Sequence, residues 1–146
     1  MKKLSLFFCF LSNHIFSQEV LTNYETKKFE YVQIIQSSDT LIKSNVLKYF
    51  SKLNYNDIKV SDNFISGSSF FADSVMGFPV KYYYTVSFEF KTGKYKVCLS
   101  NFIIEDHTKL PIPLEDVPYM KGMWVRKANK KIPIIVQALI SKEKDW

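Results

Sequence analysis

The stretch Val80-Lys81-Tyr82-Tyr83-Tyr84-Thr85-Val86-Ser87-Phe88-Glu89-Phe90-Lys91-Thr92-Gly93-Lys94-Tyr95-Lys96-Val97-Cys98-Leu99 decides the fold. In its first half Val80, Tyr82, Tyr84, Val86, Phe88 and Phe90 alternate with Lys81, Tyr83, Thr85, Ser87, Glu89 and Lys91. A period of two puts each set on its own face of a strand. Thr92-Gly93 then suits a two-residue turn, because glycine accepts positive φ without steric cost. With Lys91 opposite Lys94, Phe90 meets Tyr95, Phe88 meets Val97 and Val86 meets Leu99. A slip of one residue would turn the whole apolar set into water, so the register is strongly specified.

Working outward, Phe29–Gln36 is rich in β-branched and aromatic residues and reads as a strand. Ser37-Ser38-Asp39 offers side-chain oxygens to the amides of a first helical turn, and Ile42, Val46, Tyr49, Phe50 and Leu53 then form one helical stripe. The helix closes at Asn54 to Asp57. Ile58–Val60 and Phe64–Ile65 predict short strands around a turn at Ser61-Asp62-Asn63, with Gly67–Phe71 continuing the second and Asp73 to Pro79 a connection. Beyond the hairpin, the strand from Tyr95 is expected to end near Ile104. Glu105 to Val117, with Pro111 and Pro113, reads as loop, and Pro118 to Lys131 has no decisive period. Ile132, Ile135, Val136, Leu139 and Ile140 predict a closing amphipathic helix, with Pro133 in its first turn. The order β-α-β-β-β-β-α predicts an α+β domain with a single antiparallel sheet and two helices packed on one face.

A chain of 146 residues is sized for one domain, and 47% hydrophobic with 23% charged residues excludes intrinsic disorder and a multi-span membrane protein. Two features stand out, an aromatic content of 16% and a formal net charge of +6. Met1-Lys2-Lys3, the apolar run Leu4–Leu11 and the small Ser17 follow the order of a secretory signal peptide. Residues 1–17 are therefore expected to direct export and to be cut before Gln18, with 18–28 a flexible lead-in and 29–146 the folded domain. The apolar run is shorter than the roughly 20 residues that span a bilayer. Phe7-Phe8 stand where a lipid-modified Cys9 would need small residues. Cleavage takes Lys2 and Lys3 from the 20 basic residues, leaving 18 against 14 acidic and a net charge of +4. It also takes Cys9 and His14, so the mature chain keeps Cys98 and His107 and can form no internal disulfide. A periplasmic or cell-envelope location makes nucleic acid an unexpected partner.

The strand Phe29–Gln36, the Ser-Asp start of the first helix, Gly67-Ser68-Ser69-Phe70, and above all Tyr84 to Val97 followed by Ser100-Asn101-Phe102 resemble a family of exported bacterial proteins. That family is a domain of unknown function with a TATA-binding-protein-like fold. The resemblance covers roughly residues 29 to 105 and rests on a hairpin pattern. It implies a fold and an envelope location. It carries over no functional residues, and sharing a fold with a DNA-binding protein does not transfer DNA binding.

Few residues in the mature chain could carry chemistry. Cys98 and His107 are the only thiol and imidazole, but the predicted hairpin separates them, and a catalytic pair needs contact. Glu105-Asp106-His107 are ligand and acid–base types at a strand end, where three consecutive side chains cannot all converge. Glu115-Asp116 reads as a solvated turn. No glycine-rich phosphate loop or metal motif is present, so no cofactor is implied. Lys121, Arg126, Lys127, Lys130 and Lys131, interleaved with Tyr119, Met123 and Trp124, are candidates for docking on anionic lipid or polysaccharide. The hairpin's second face carries Tyr83, Thr85, Ser87, Cys98, Ser100 and Phe102, which Ser66 and Ser68 extend. With helices on the other side only, this neutral, hydroxyl-rich and partly aromatic face stays open. The function these residues favour is a non-catalytic exported domain that binds a protein or envelope ligand, or pairs as a homodimer, through that face. A small envelope enzyme using Glu105, Asp106 and His107, or a surface-docking protein using 121–131, are the alternatives.

Overall fold

The computed structural model describes residues 21–22, 27–37 and 42–140. The expected signal peptide, and the Ser38-Asp39 part of the helix cap, lie outside the described residues. Among those described, the elements are β1 (Leu21–Thr22), β2 (Phe29–Gln36), α1 (Ile42–Lys52), β3 (Asn56–Ser61), β4 (Phe64–Val75), β5 (Phe78–Lys91), β6 (Lys94–Glu105), β7 (Pro111–Pro113), a 3₁₀ turn at Leu114–Asp116, and α2 (Lys121–Ile140). The strands form one antiparallel sheet in the order β1-β2-β6-β5-β4-β3, with β7 beside β6 beyond the start of β2. The domain is α+β, as its sequence order predicts.

The hairpin has the predicted register: Lys91 opposes Lys94, Phe90 Tyr95, Phe88 Val97 and Val86 Leu99. Val80, Tyr82, Tyr84, Val86, Phe88, Tyr95, Val97 and Leu99 are buried, and Phe90 is half-buried at the edge of the same core. Two backbone bonds pin the turn end of the hairpin to its neighbours, from Phe90 to the Asn63 carbonyl and from Ser37 to the Gly93 carbonyl.

Helix α1 ends in a Schellman-type cap. Asn54 adopts the left-handed conformation at φ 54°, and the amide of Tyr55 donates to the carbonyl of Phe50 at 3.0 Å. The apolar contact that accompanies such a cap is a ring stack, Phe50 on Tyr55 at 4.4 Å between centroids. That pair reaches the sheet at Gly67, where a β-carbon would lie 2.9 Å from the Phe50 ring and 3.3 Å from Tyr55. Tyr55 and Tyr84 join their buried hydroxyls at 2.9 Å. Ile42, Val46 and Phe50 of α1, with Ala128, Ile132, Val136 and Leu139 of α2, complete the core over one face of the sheet.

Five sequence expectations are corrected. Leu53, counted in the α1 stripe, falls beyond the helix end and is 46% exposed. Asp73 to Pro79 is not a connection: β4 runs on to Val75 and only Met76-Gly77 turns into β5. The loop after β6 contains β7, because two prolines are tolerated on an edge strand whose outward side makes no ladder. Helix α2 begins eleven residues before Ile132, and Pro133 lies in its interior on the exposed side. Ala128 extends the buried stripe backward by one turn, and its small side chain hid that continuation. The expected lead-in also includes β1, where Leu21 and Thr22 pair with Glu30 and Phe29.

Gly67→Ala is expected to destabilise the domain by about 1–3 kcal/mol, since the new methyl must displace a packed ring pair; a denaturant midpoint equal to wild type would contradict it. A second expectation concerns alkali. Burial raises the phenol pKa of Tyr31, Tyr55, Tyr82 and Tyr84, with the Tyr55–Tyr84 contact adding to the rise at Tyr55. The folded state thus disfavours phenolate, so this stability is complete below the unfolded tyrosine pKa of about 10 and is lost as pH rises beyond it. Thermal midpoints should hold from neutral pH to about pH 9.5 and then fall, less steeply in the Tyr55→Phe/Tyr84→Phe double variant.

Candidate functional site

The face of the sheet opposite the helices carries Glu30, Val32 and Ile34 of β2, then Lys96, Cys98 and Ser100 of β6. It continues through Tyr83, Thr85 and Ser87 of β5 to Ser66, Ser68 and Phe70 of β4. Strict alternation along β6 fails at one place. Tyr83 opposes Ile103 while Thr85 opposes Ser100, so β6 contains one extra residue, a β-bulge centred on Asn101 at φ 52°. Asparagine tolerates the left-handed region better than most residues. The bulge turns every later side chain over. Phe102, expected on the open face, is instead 1% exposed in the core, and Ile103 takes its place outside. A sequence signal for this existed: Leu99, Phe102 and Ile104 are buried at a spacing of three and then two, with an asparagine in between.

Tyr83, Thr85, Ser87, Cys98 and Ser100 are half-buried on the open face as expected. Of these, only Tyr83 and Thr85 line a hollow of about 490 Å³ at the bulge, walled by Phe70, Tyr83, Ile103 and Pro111, with Ser68, Thr85, Asn56, Asp57, Asn101 and Glu105 supplying polar groups; Ser87, Cys98 and Ser100 lie outside it. Ser68 and Thr85 hydroxyls lie 3.3 Å apart across β4 and β5. The Tyr83 hydroxyl donates to Glu105 Oε2 at 3.1 Å, and the Phe70 and Tyr83 rings meet at 5.6 Å. Phe70 is nevertheless 49% exposed. The hollow combines apolar walls with a few convergent polar groups, the composition of small-ligand sites in general. Phe70, Ile103 and Asn101 were absent from the sequence-derived set. Ser66 is buried between Lys59 and Ser87 and does not reach the hollow.

The other candidate residues are dispersed. Cys98 pairs across the sheet with Ser87 and Val32, and burial followed by the Glu30 charge pushes its thiol pKa up, away from the thiolate form a nucleophile needs. His107 lies nine residues beyond Cys98 and past the end of β6, on the order of 25 Å further along, with its ring on Phe78 at 5.0 Å and its side chain 58% exposed. Glu105 turns to Tyr83, whereas Asp106 accepts from the Thr108 amide and hydroxyl, which hold its carboxyl below the usual range. His107 Nδ1 approaches Asp106 only to 4.0 Å. Glu105, Asp106 and His107 therefore do not converge on a common substrate position. No group of three or more metal-ligating side chains occurs among the described residues.

The basic segment lies along α2 and is divided. Lys127 donates to the Ser74 carbonyl at 3.0 Å and pairs with Asp73 at 3.4 Å, and Lys121 donates to the Glu115 carbonyl. Arg126, Lys130 and Lys131 are exposed. Glu115, read as a solvated turn residue, accepts the Phe29 amide at 2.7 Å and so ties the start of β2 to the 3₁₀ turn. No described helix is long and apolar enough to cross a membrane.

Two solved structures share this architecture. A DUF4468 family protein from Bacteroides ovatus superposes with a TM-score of 0.62 at 14% identity, covering 90% of this chain and 95% of its own. A TBP-like protein from Parabacteroides distasonis gives a TM-score of 0.62 at 12% identity over 77% of this chain and 90% of its own. No protein-family model and no curated protein matches the chain. The fold is TBP-like, in agreement with the resemblance carried by the hairpin.

The bulge assigns opposite outcomes to two aromatic residues. Phe102→Ala is expected to cost about 3–5 kcal/mol of stability as a core truncation, while Tyr83→Ala costs about 1 kcal/mol as loss of a half-exposed contact and one hydrogen bond. Equal losses in chemical denaturation would show that β6 keeps its alternation through Asn101.

Proposed function

We propose that this chain is an exported binding domain that holds a ligand in the hollow on the open face of its sheet. The observation that carries the reading is the bulge at Asn101, which interrupts the sheet where Phe70, Tyr83 and Ile103 remain accessible beside Glu105 and the Ser68–Thr85 hydroxyl pair. β-bulges are enriched beside functional sites because they re-aim side chains. The dispersal of Cys98, His107 and Asp106 favours binding over catalysis at this face. A hollow also favours a ligand over a homodimer of stacked sheets, since sheet-on-sheet packing needs two complementary filled faces. Export to the periplasm or cell envelope belongs to the same reading and rests on the order of residues 1–17.

The protein recovered from its native envelope is expected to begin at Gln18 and to carry a noncovalent adduct in native mass spectrometry. The Phe70→Ser/Tyr83→Ser double variant should lose that adduct while still unfolding cooperatively, roughly 5 °C below wild type. An intact N-terminus would remove export. An adduct kept by the double variant, or none in the wild type, would remove the site.

A further inference from the structure

We infer that the hollow is specific for an organic ammonium group, seated between the Phe70 ring and the Glu105 carboxylate. The inference rests on the open face being a binding site and concerns what it selects. The chain already places an ammonium beside that ring and that carboxylate, from a residue outside the lining of the hollow. Lys81 Nζ lies 5.3 Å from the centre of the Phe70 ring and 3.9 Å from Glu105 Oε1. Aromatic faces attract cations through the ring quadrupole, and a carboxylate at the rim supplies the counter-charge. Glu105 is held ready by the Tyr83 hydroxyl, which donates to its other oxygen.

Lys81 is a loose occupant. At 3.9 Å its contact with Glu105 is beyond hydrogen-bond length, and its side chain remains 48% exposed. A ligand ammonium on the hollow side of Phe70 would compete with it for the same ring and the same carboxylate. Local charge points the same way, against the positive balance of the whole chain. Asp57 and Glu105 both line the hollow, no Lys or Arg is among its described lining residues, and of the two carboxylates Lys81 meets only Glu105. Anionic ligands are disfavoured by that arrangement. The ammonium can come from a free amine or from a lysine side chain of a peptide; both present the same group to the site.

The test uses the mature protein and four probes in calorimetric or NMR titration: n-butylamine, an N-acetyl-lysine amide, butanol and butyrate. Both amines, or one of them, are expected to bind, and the stronger identifies the source. Butanol and butyrate should not bind. Binding should weaken between about 50 mM and about 500 mM salt. Glu105→Gln should weaken it about tenfold, and Phe70→Leu should also weaken it. Lys81→Met should strengthen it by about threefold or more, because the competing ammonium is gone. A Lys81→Met variant that binds amines no better than wild type overturns the inference, as does butanol binding equal to butylamine. Butanol binding that Phe70→Ser/Tyr83→Ser abolishes would leave the open face a binding site with another specificity. If no probe binds, ammonium specificity fails, and the native adduct decides the face separately.

Discussion

The stack of Phe50 on Tyr55 is the contact through which the layers of this domain are joined. It caps α1, it fills the space that Gly67 leaves in β4, and through the Tyr55 hydroxyl it reaches Tyr84 in β5. Phe50 also meets the edge of Phe88. One helix end therefore fixes the distance between helix and sheet at the centre of the hairpin. Protein interiors pack at crystal-like density, so such a joint leaves little freedom to slide. The consequence for the opposite face is that the backbone carrying Tyr83 and Thr85 is held from behind.

On that rigid support a single extra residue creates the irregularity that the site depends on. Without the bulge, β6 would continue with Phe102 outside and Ile103 inside, and the sheet would present an even surface. Asn101 instead sends Phe102 to the core and opens a hollow beside Tyr83. The same residue borders a second hollow of about 360 Å³ that is lined by Ile103, Pro113 and Glu115 and lies toward the sheet's other edge. Local irregularity in one strand thus serves both surfaces of the sheet, filling the core on one side and relieving the ladder on the other.

The parts of the fold that were legible in the amino-acid sequence are those governed by one dominant period. Alternation from Val80 to Phe90, with Thr92-Gly93, set the hairpin register residue by residue. Ile42, Val46 and Phe50 marked α1. Legibility stopped where two periods overlap or where a small residue carries the pattern. Asn101 broke the alternation without any glycine or proline to announce it. Ala128 continued the α2 stripe with a side chain too small to count as an apolar landmark. Pro133 misplaced the helix start, because a proline is favourable in a first turn and only tolerated further in. Of the site, Tyr83 and its hydroxyl-bearing neighbours were readable. Phe70 and Glu105 join them only through pairing across β4, β5 and β6, which is a tertiary fact.

The short strand β7 has a bearing on how this molecule behaves in a crowded compartment. Pro111 and Pro113 flank Ile112, and a strand's alternate residues point their backbone groups to the same side. A proline nitrogen directed at β6 would waste a ladder position, so both imide nitrogens belong on the outer edge. That edge then offers carbonyls but no donors to a neighbouring chain. Unprotected strand edges are templates for intermolecular pairing. Two residues that cannot donate make this stretch of the border a poor one, and the domain is shielded there from growing into fibres by the very residues that made the segment look like a loop.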